Sequence, residues 1–310
     1  MNLLLTGAFS YSQHQCDRLA NLGYKLSFIQ YEDQEFSHDP STFDAVVCNA
    51  LFQHIAIAEF KSLKFVQLTS AGLDRVPLSY IQEKGIWLKN AGNVYAVPIA
   101  EWIVCKILEI CKGSRRFYKS QAERTWQKRR DIIELTDMKV SIVGFGNIGT
   151  EVAKRLRSFG LEILAIDSVP LSDEQKPLQD RYFTPNNADE ALAISDIVVL
   201  TLPLSDETRH FIDKRRISLM KPNSILVNAS RGAIIDEAAL VEALGQGKFH
   251  GVALDVFERE PLPPDDPLWI DEHVIVTPHI AFISDKANDR LFELIAANLG
   301  DFIKNKGTRQ

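Results

Sequence analysis

The sequence predicts an α/β protein built on two doubly wound parallel sheets. At 310 residues the chain is longer than one hydrophobic core usually organises. Short apolar runs alternate with amphipathic or polar stretches along it, the rhythm of parallel strands joined by helical crossovers. One unusually apolar helical stretch, Pro98 to Arg116, divides that rhythm into two series.

In the first series, "NLLLT", "KLSFI", "DAVVCNAL", "KFVQLTS" and "GIWLKNAG" read as five strands. The dividing helix repeats its apolar residues at Ile99, Ile103, Ile107 and Cys111, widened by Trp102, Leu108 and Ile110. Pro98 suits its first turn and Gly113 its end. So apolar a stripe fits a connector packed between domains. The second series, "KVSIVGFG", "EILAIDS", "DIVVLTLP", "SILVNAS", "GVALDVF" and "VIVTPH", reads as six strands. The last segment opens with a Ser-Asp cap signal at Ser284 and Asp285, and Leu291, Leu294, Ile295, Ala297 and Leu299 give it a buried face. It is expected to return to the first domain. The expected boundaries are 1–94 plus 283–310 for one domain and 95–282 for the other.

Composition excludes several function classes. A formal net charge of −6 argues against a broad nucleic-acid surface, and the one basic cluster, Lys128 to Arg130 beside Trp126, reads as a solvated face. No apolar run approaches the ~20 residues of a membrane helix, and the leucines near the N-terminus lack a basic leader, so a cytoplasmic protein is expected. Cys16, Cys48, Cys105 and Cys111 show no metal-ligand spacing and are expected as buried, reduced thiols; no metal is expected.

The clearest binding motif is "VSIVGFGNIGTEVAKRL". Gly144, Gly146 and Gly149 have G-x-G-x-x-G spacing directly after a strand and before an amphipathic helix. Such glycines permit a tight turn and close backbone approach, and the helix beyond them turns unpaired N–H groups toward a pyrophosphate. The next strand ends at Asp167, suited to accept hydrogen bonds from ribose hydroxyls and to repel a 2′-phosphate. With no Arg or Lys at Ser168 or Val169, NAD is expected over NADP.

Four polar residues follow apolar strands in the second series: Arg231 after "SILVNAS", Asp255 and Glu260 within "GVALDVFEREPLP", and His279 after "VIVTP". In open α/β sheets the carboxyl ends of strands border the ligand crevice, so these groups are expected to be neighbours. Together they offer an anion clamp, a proton carrier and an orienter for that carrier.

With "TSAGLDRVPL", "VGFGNIG", "LPLSDET", "LVNASRGAIIDEAAL", "ALDVFEREPLPPDDPLW" and "TPHIA", the chain resembles the D-isomer-specific 2-hydroxyacid dehydrogenases, densely over residues 69 to 281. That resemblance implies a Rossmann NAD-binding domain and a flavodoxin-like substrate domain with a cleft between them. It also implies NAD-dependent hydride transfer to or from C2 of a small 2-keto or 2-hydroxy acid, and a homodimer. Arg231 would hold the substrate carboxylate, His279 would be the acid/base and Glu260 its partner. The amides of Ala71 and Gly72 would complete the carboxylate site. Asp255 would face the nicotinamide carboxamide, with Asn147 and Ile148 at the pyrophosphate. Leu202, Pro203, Thr208 and Ala229 would line the rest of the dinucleotide, which Arg231 and His279 also border.

Some residues depart from the family pattern. Phe282 and Ile283 follow "TPHIA" where small residues are common, and Pro98 starts the connector helix where small or polar residues are common. Leu51 and Phe52 make the expected substrate end apolar, against a phosphorylated substrate, whereas His54 and Arg75 keep one open. The alternative from another class is an NAD(H)-sensing binding protein on the same scaffold, like the C-terminal-binding co-repressors.

Overall fold

A computed structural model of the protein describes residues 1–307; the last three positions, within the expected first domain, lie outside the described residues. The chain divides into two compact units, Met1–Tyr95 together with the chain from Ser284 onward, and Ala96–Ile283.

The first unit holds β1 (Asn2–Thr6), β2 (Lys25–Ile29), β3 (Ala45–Cys48), β4 (Phe65–Leu68) and β5 (Trp87–Lys89) in one parallel sheet of order β2-β1-β3-β4-β5. That order is flavodoxin-like. Every residue of β3 and β4 is buried, as parallel strands covered on both faces require. Helix α1 (Gln13–Asn21) begins with a capping box, the Ser12 hydroxyl accepting from the Gln15 N–H while Gln15 Oε1 accepts from the Ser12 N–H. Helix α2 (Leu78–Glu83) precedes β5.

The second unit opens with α3 (Ala96–Cys111), which buries Ile99, Ile103 and Ile107 and packs on β10 (Ser224–Asn228), β11 (Phe249–Leu254) and α5 (Asn147–Leu156). As expected, Gly113, at φ +63°, ends the connector helix; a second helix, α4 (Ser114–Ala122), then takes up the stretch to Arg116. The sheet adds β6 (Lys139–Val143), β7 (Glu162–Ile166), β8 (Arg181–Phe183), β9 (Ile197–Leu200) and β12 (Val274–Val276), with α6 (Ala188–Ile194), α7 (Lys214–Leu219) and α8 (Glu237–Gly245). Its order is β12-β11-β10-β9-β6-β7-β8, all parallel. This is the nucleotide-binding order 3-2-1-4-5-6 with one further strand. Seven strands form where six are predicted: β8 has only Phe183 buried and shows no apolar run.

Helix α9 (Ala287–Gly307) belongs to the first unit. Leu291, Phe292, Ile295, Leu299 and Phe302 join Leu3, Leu5, Val47 and Phe65 in one core cluster, each fully buried large side chain contributing about 1.5–3 kcal/mol. The cysteines depart from expectation: all four are free thiols, but Cys105 is exposed and Cys16 half-buried.

Candidate active site

The strand order of the second sheet reverses between β6 and β9, which is where an open α/β sheet binds its ligand. Gly144 stands there with φ +90°, and a Cβ on it would lie 2.7 Å from Leu202 Cα and N. A Cβ on Gly149 would lie 2.3 Å from the Gly144 carbonyl oxygen, so both positions need glycine. Around Gly146, by contrast, a Cβ would meet no atom within 4 Å. Gly146 caps α5 without a side-chain hydrogen bond, so the first N–H groups of the helix, from Asn147 and Ile148, border open space. A pyrophosphate fits that combination of free amides, helix dipole and missing side chain.

Asp167 is fixed beside this loop, its Oδ2 accepting from the Phe145 N–H (2.6 Å) and its Oδ1 from the Val169 N–H (2.8 Å). Gln175 donates to the Phe145 carbonyl (2.6 Å) and to Thr150 Oγ1 (3.1 Å), bracing the loop from a distant segment. Across the switch point, the Thr208 hydroxyl donates to the Pro203 carbonyl (2.7 Å) and accepts from the Ser205 N–H (2.7 Å), closing the 203–208 loop on itself. Leu202 and Ala229 are buried at the ends of their strands.

Arg231 is carried by a short polar turn at the end of β10. The fully buried Asn228 accepts from the Ser230 N–H and hydroxyl and donates to the Arg231 carbonyl (2.9 Å). Arg231 itself donates to the Ser230 carbonyl (2.8 Å). A Cβ on the next residue, Gly232, would sit 1.8 Å from the Phe257 carbonyl carbon, so the turn lies directly on the 257–258 backbone. The small residue serves contact with the protein's own chain.

Glu260 receives the Phe257 N–H on Oε1 (3.1 Å), and its Oε2 lies 2.7 Å from His279 Nδ1. Burial alone pushes its carboxyl up, but the hydrogen bond and charge of His279, the Phe257 N–H and the charge of Arg231 outweigh that and hold it below the ordinary carboxyl value. These contacts bring Arg231, Glu260 and His279 together. With Nδ1 on Glu260, His279 Nε2 has no protein hydrogen bond among the described residues. Phe282 meets the imidazole edge-on, ring centroids 5.9 Å apart.

His279 has a left-handed backbone (φ +52°), uncommon for a residue with a Cβ. Asp255 holds it there. Its carboxylate, in a residue only 1% exposed, accepts from Thr277 Oγ1 (2.5 Å), the Ile280 N–H (2.9 Å) and the Ala281 N–H (2.8 Å). Its carbonyl accepts from the His279 N–H (2.8 Å). Asp255 therefore points into the 277–281 turn.

In the first unit, Ala71 is exposed and Gly72 half-buried just beyond β4. At that sheet's own switch point, between β1 and β3, Glu32 accepts from Thr6 Oγ1 (2.5 Å), the Asn49 N–H (2.8 Å) and the Ala50 N–H (2.6 Å). An acid of the chain thus fills the place that the second sheet leaves to its glycine loop. Leu51 is buried, Phe52 half-buried and His54 exposed. Among the described residues no group of His, Cys, Asp or Glu is arranged to hold a metal ion. Sequence reasoning missed Glu32, Gln175, Asn228 and Thr277, lone polar residues whose roles come from partners distant in space or from a turn.

Comparison with known proteins gives consistent findings. The model of the D-isomer specific 2-hydroxyacid dehydrogenase NAD-binding domain matches residues 104–281. A glyoxylate reductase of Thermofilum pendens is 35% identical over 250 residues, covering 79% of this chain and 73% of that protein. A hydroxypyruvate reductase of Thermotoga maritima is 36% identical over 248 residues, covering 77% and 79%. Among solved structures, a D-lactate dehydrogenase from Aquifex aeolicus complexed with NAD and lactic acid superposes with TM-score 0.85 at 27% identity, over 98% of this chain and 96% of that one.

Proposed function

The chain belongs to the D-isomer specific 2-hydroxyacid dehydrogenase family, and on that premise we propose that it is an NADH-dependent 2-keto acid reductase with His279 as acid/base. The observation that carries the proposal is the 2.7 Å pair of Glu260 Oε2 and His279 Nδ1, beside the charge of Arg231.

Each residue has a role that its geometry supports. Glu260 fixes the imidazole through Nδ1 and so leaves Nε2 for the substrate. His279 Nε2 gives its proton to the alkoxide oxygen forming at C2, and takes it back in the oxidising direction. Arg231, with its planar fork, grips the substrate carboxylate and polarises the adjacent carbonyl. In the first unit, the Ala71 and Gly72 amides are donors suited to a substrate carboxylate. Asp255 holds the turn that aims His279. When bound, the reduced nicotinamide supplies the hydride to C2. Gly144, Gly146, Gly149, Asn147 and Ile148 receive the pyrophosphate, Leu202, Pro203, Thr208 and Ala229 border the remainder, and the Asp167 carboxylate favours NADH over NADPH.

The relatives named glyoxylate reductase and hydroxypyruvate reductase support a small unphosphorylated keto acid of the glyoxylate, pyruvate or hydroxypyruvate kind, whereas Leu51 is core and Phe52 packs against that core. A homodimer through the second unit is part of the proposal, supported by the exposed apolar side chains of Phe117, Tyr118, Ile132 and the 97% exposed Trp126 within the segment 117–132. So is a cytoplasmic location, supported by four free thiols. No helix among the described residues is long and apolar enough to cross a membrane.

The test is NADH oxidation against glyoxylate, pyruvate, hydroxypyruvate, branched-chain and phosphorylated 2-keto acids. Turnover of a small unphosphorylated acid is expected. Tight NADH binding without turnover on the whole panel would refute the proposal in favour of a sensor.

A further inference from the structure

Just beyond β4, three consecutive carbonyls are each taken by a donor from the protein. The Ser70 carbonyl accepts from the Ala91 N–H (2.9 Å), the Ala71 carbonyl from Asn90 Nδ2 (2.6 Å) and the Gly72 carbonyl from the Ser70 hydroxyl (3.1 Å). In a trans peptide the C=O of one residue and the N–H of the next point in opposite directions. Tying the Ser70 and Ala71 carbonyls to the chain at 90–91 therefore turns the Ala71 and Gly72 N–H groups away from it. Among the described residues neither N–H meets a protein acceptor. Two adjacent unpaired amides make an anion-binding concavity.

Asn90 is itself held at both ends. Its Oδ1 accepts from the N–H of Gly92, whose φ of +55° closes a tight turn, and that bond fixes which end of the amide faces Ala71. Its carbonyl accepts from Gln67 Nε2 (3.1 Å), and the fully buried Gln67 is anchored by Asn298 Nδ2 (2.8 Å) on α9. A rigid polar relay thus runs from α9 through β4 to the peptide joining Ala71 and Gly72.

We infer that Asn90 is a positioning residue that presets the Ala71 and Gly72 amides for a substrate carboxylate. The inference rests on the proposed function and adds a specificity device to it: Asn90 aims donors at the carboxylate and leaves the proton chemistry to His279. Asn90→Asp keeps the acceptor for Gly92 but sets an oxygen against the Ala71 carbonyl, and Asn90→Ala removes the donor together with the acceptor for the exposed Gly92 N–H, without adding charge. Both variants are expected to raise KM for the 2-keto acid, and Ki for the carboxylate analogue oxamate, about 10- to 100-fold, the loss of one hydrogen bond to a charged group. The fall in kcat should be smaller, and the Kd of NADH and the thermal midpoint should stay near wild type. Wild-type turnover with an unchanged KM in both variants overturns the inference and leaves the function standing. A parallel loss of NADH binding and thermal stability overturns it as well, by showing general damage. Absence of wild-type turnover on every 2-keto acid overturns the function, and the inference with it.

Discussion

Replacing Asp255 by alanine is expected to damage both stability and turnover, and the size of each effect can be worked from its contacts. The carboxylate accepts from two backbone amides, Ile280 and Ala281, and from the Thr277 hydroxyl. The hydroxyl can rotate to another acceptor, whereas the two amides are fixed by the chain. The Ala281 N–H is buried and the Ile280 N–H, in a 40% exposed residue, can turn to water, so one buried donor is left unpaired and the loss should be about 1–3 kcal/mol out of the 5–15 kcal/mol that holds a typical domain. The same amides hold His279 in its left-handed backbone, a conformation that persists only where its surroundings impose it. With the anchor gone the imidazole moves relative to Glu260, and a misplacement of about 1 Å costs about 10²-fold in rate. Urea unfolding followed by circular dichroism, with NADH oxidation at saturating keto acid, measures both. A variant within about 1 kcal/mol of wild type with undiminished kcat would refute the assignment of Asp255 as the anchor of the turn.

Three further outcomes follow from the same geometry. Gly232→Ala should lower the unfolding free energy and kcat together, because the 1.8 Å clash with the Phe257 backbone forces apart the segments bearing Arg231 and Glu260; full activity in this variant would count against that packing. The Glu260 carboxyl is lowered in the folded state, so its contribution to stability is present above the ordinary carboxyl range and is lost as pH falls through it. Glu260→Gln should remove that part of acid destabilisation and, by loosening the hold on the His279 ring, lower kcat; acid titrations and rates that overlay wild type would contradict this. On the proposed preference for NADH, Asp167→Ser should raise the Kd of NADH and lower the NADH-to-NADPH affinity ratio, because a serine carries no charge to repel a 2′-phosphate; an unchanged ratio would refute that preference as a property of Asp167.

The strands of both sheets were legible where burial on both faces produced runs such as "AVVC" and "ILAI". The edge strand "RYF" was not, since its Arg181 and Tyr182 face solvent and no run marks it. The end of α3 was legible in Gly113, but the helix beyond it was not, since α4 buries none of its residues and so carries no apolar run. Site residues at strand ends could be read because topology brings those ends together whatever lies between them in sequence. Their supports could not: Asn90, Asn228, Gln175 and Glu32 are ordinary polar residues whose partners are set by a turn or by tertiary packing. The need for Gly232 likewise comes from tertiary packing, because it sits against the chain's own backbone at Phe257.

The central claim, that His279 moves the proton, is tested most directly by comparing His279→Ala with wild type on the best keto acid of the panel while titrating NADH binding by fluorescence. A fall in kcat of about 10²–10⁴-fold is expected, with the Kd of NADH nearly unchanged. Turnover equal to wild type in that variant would contradict it.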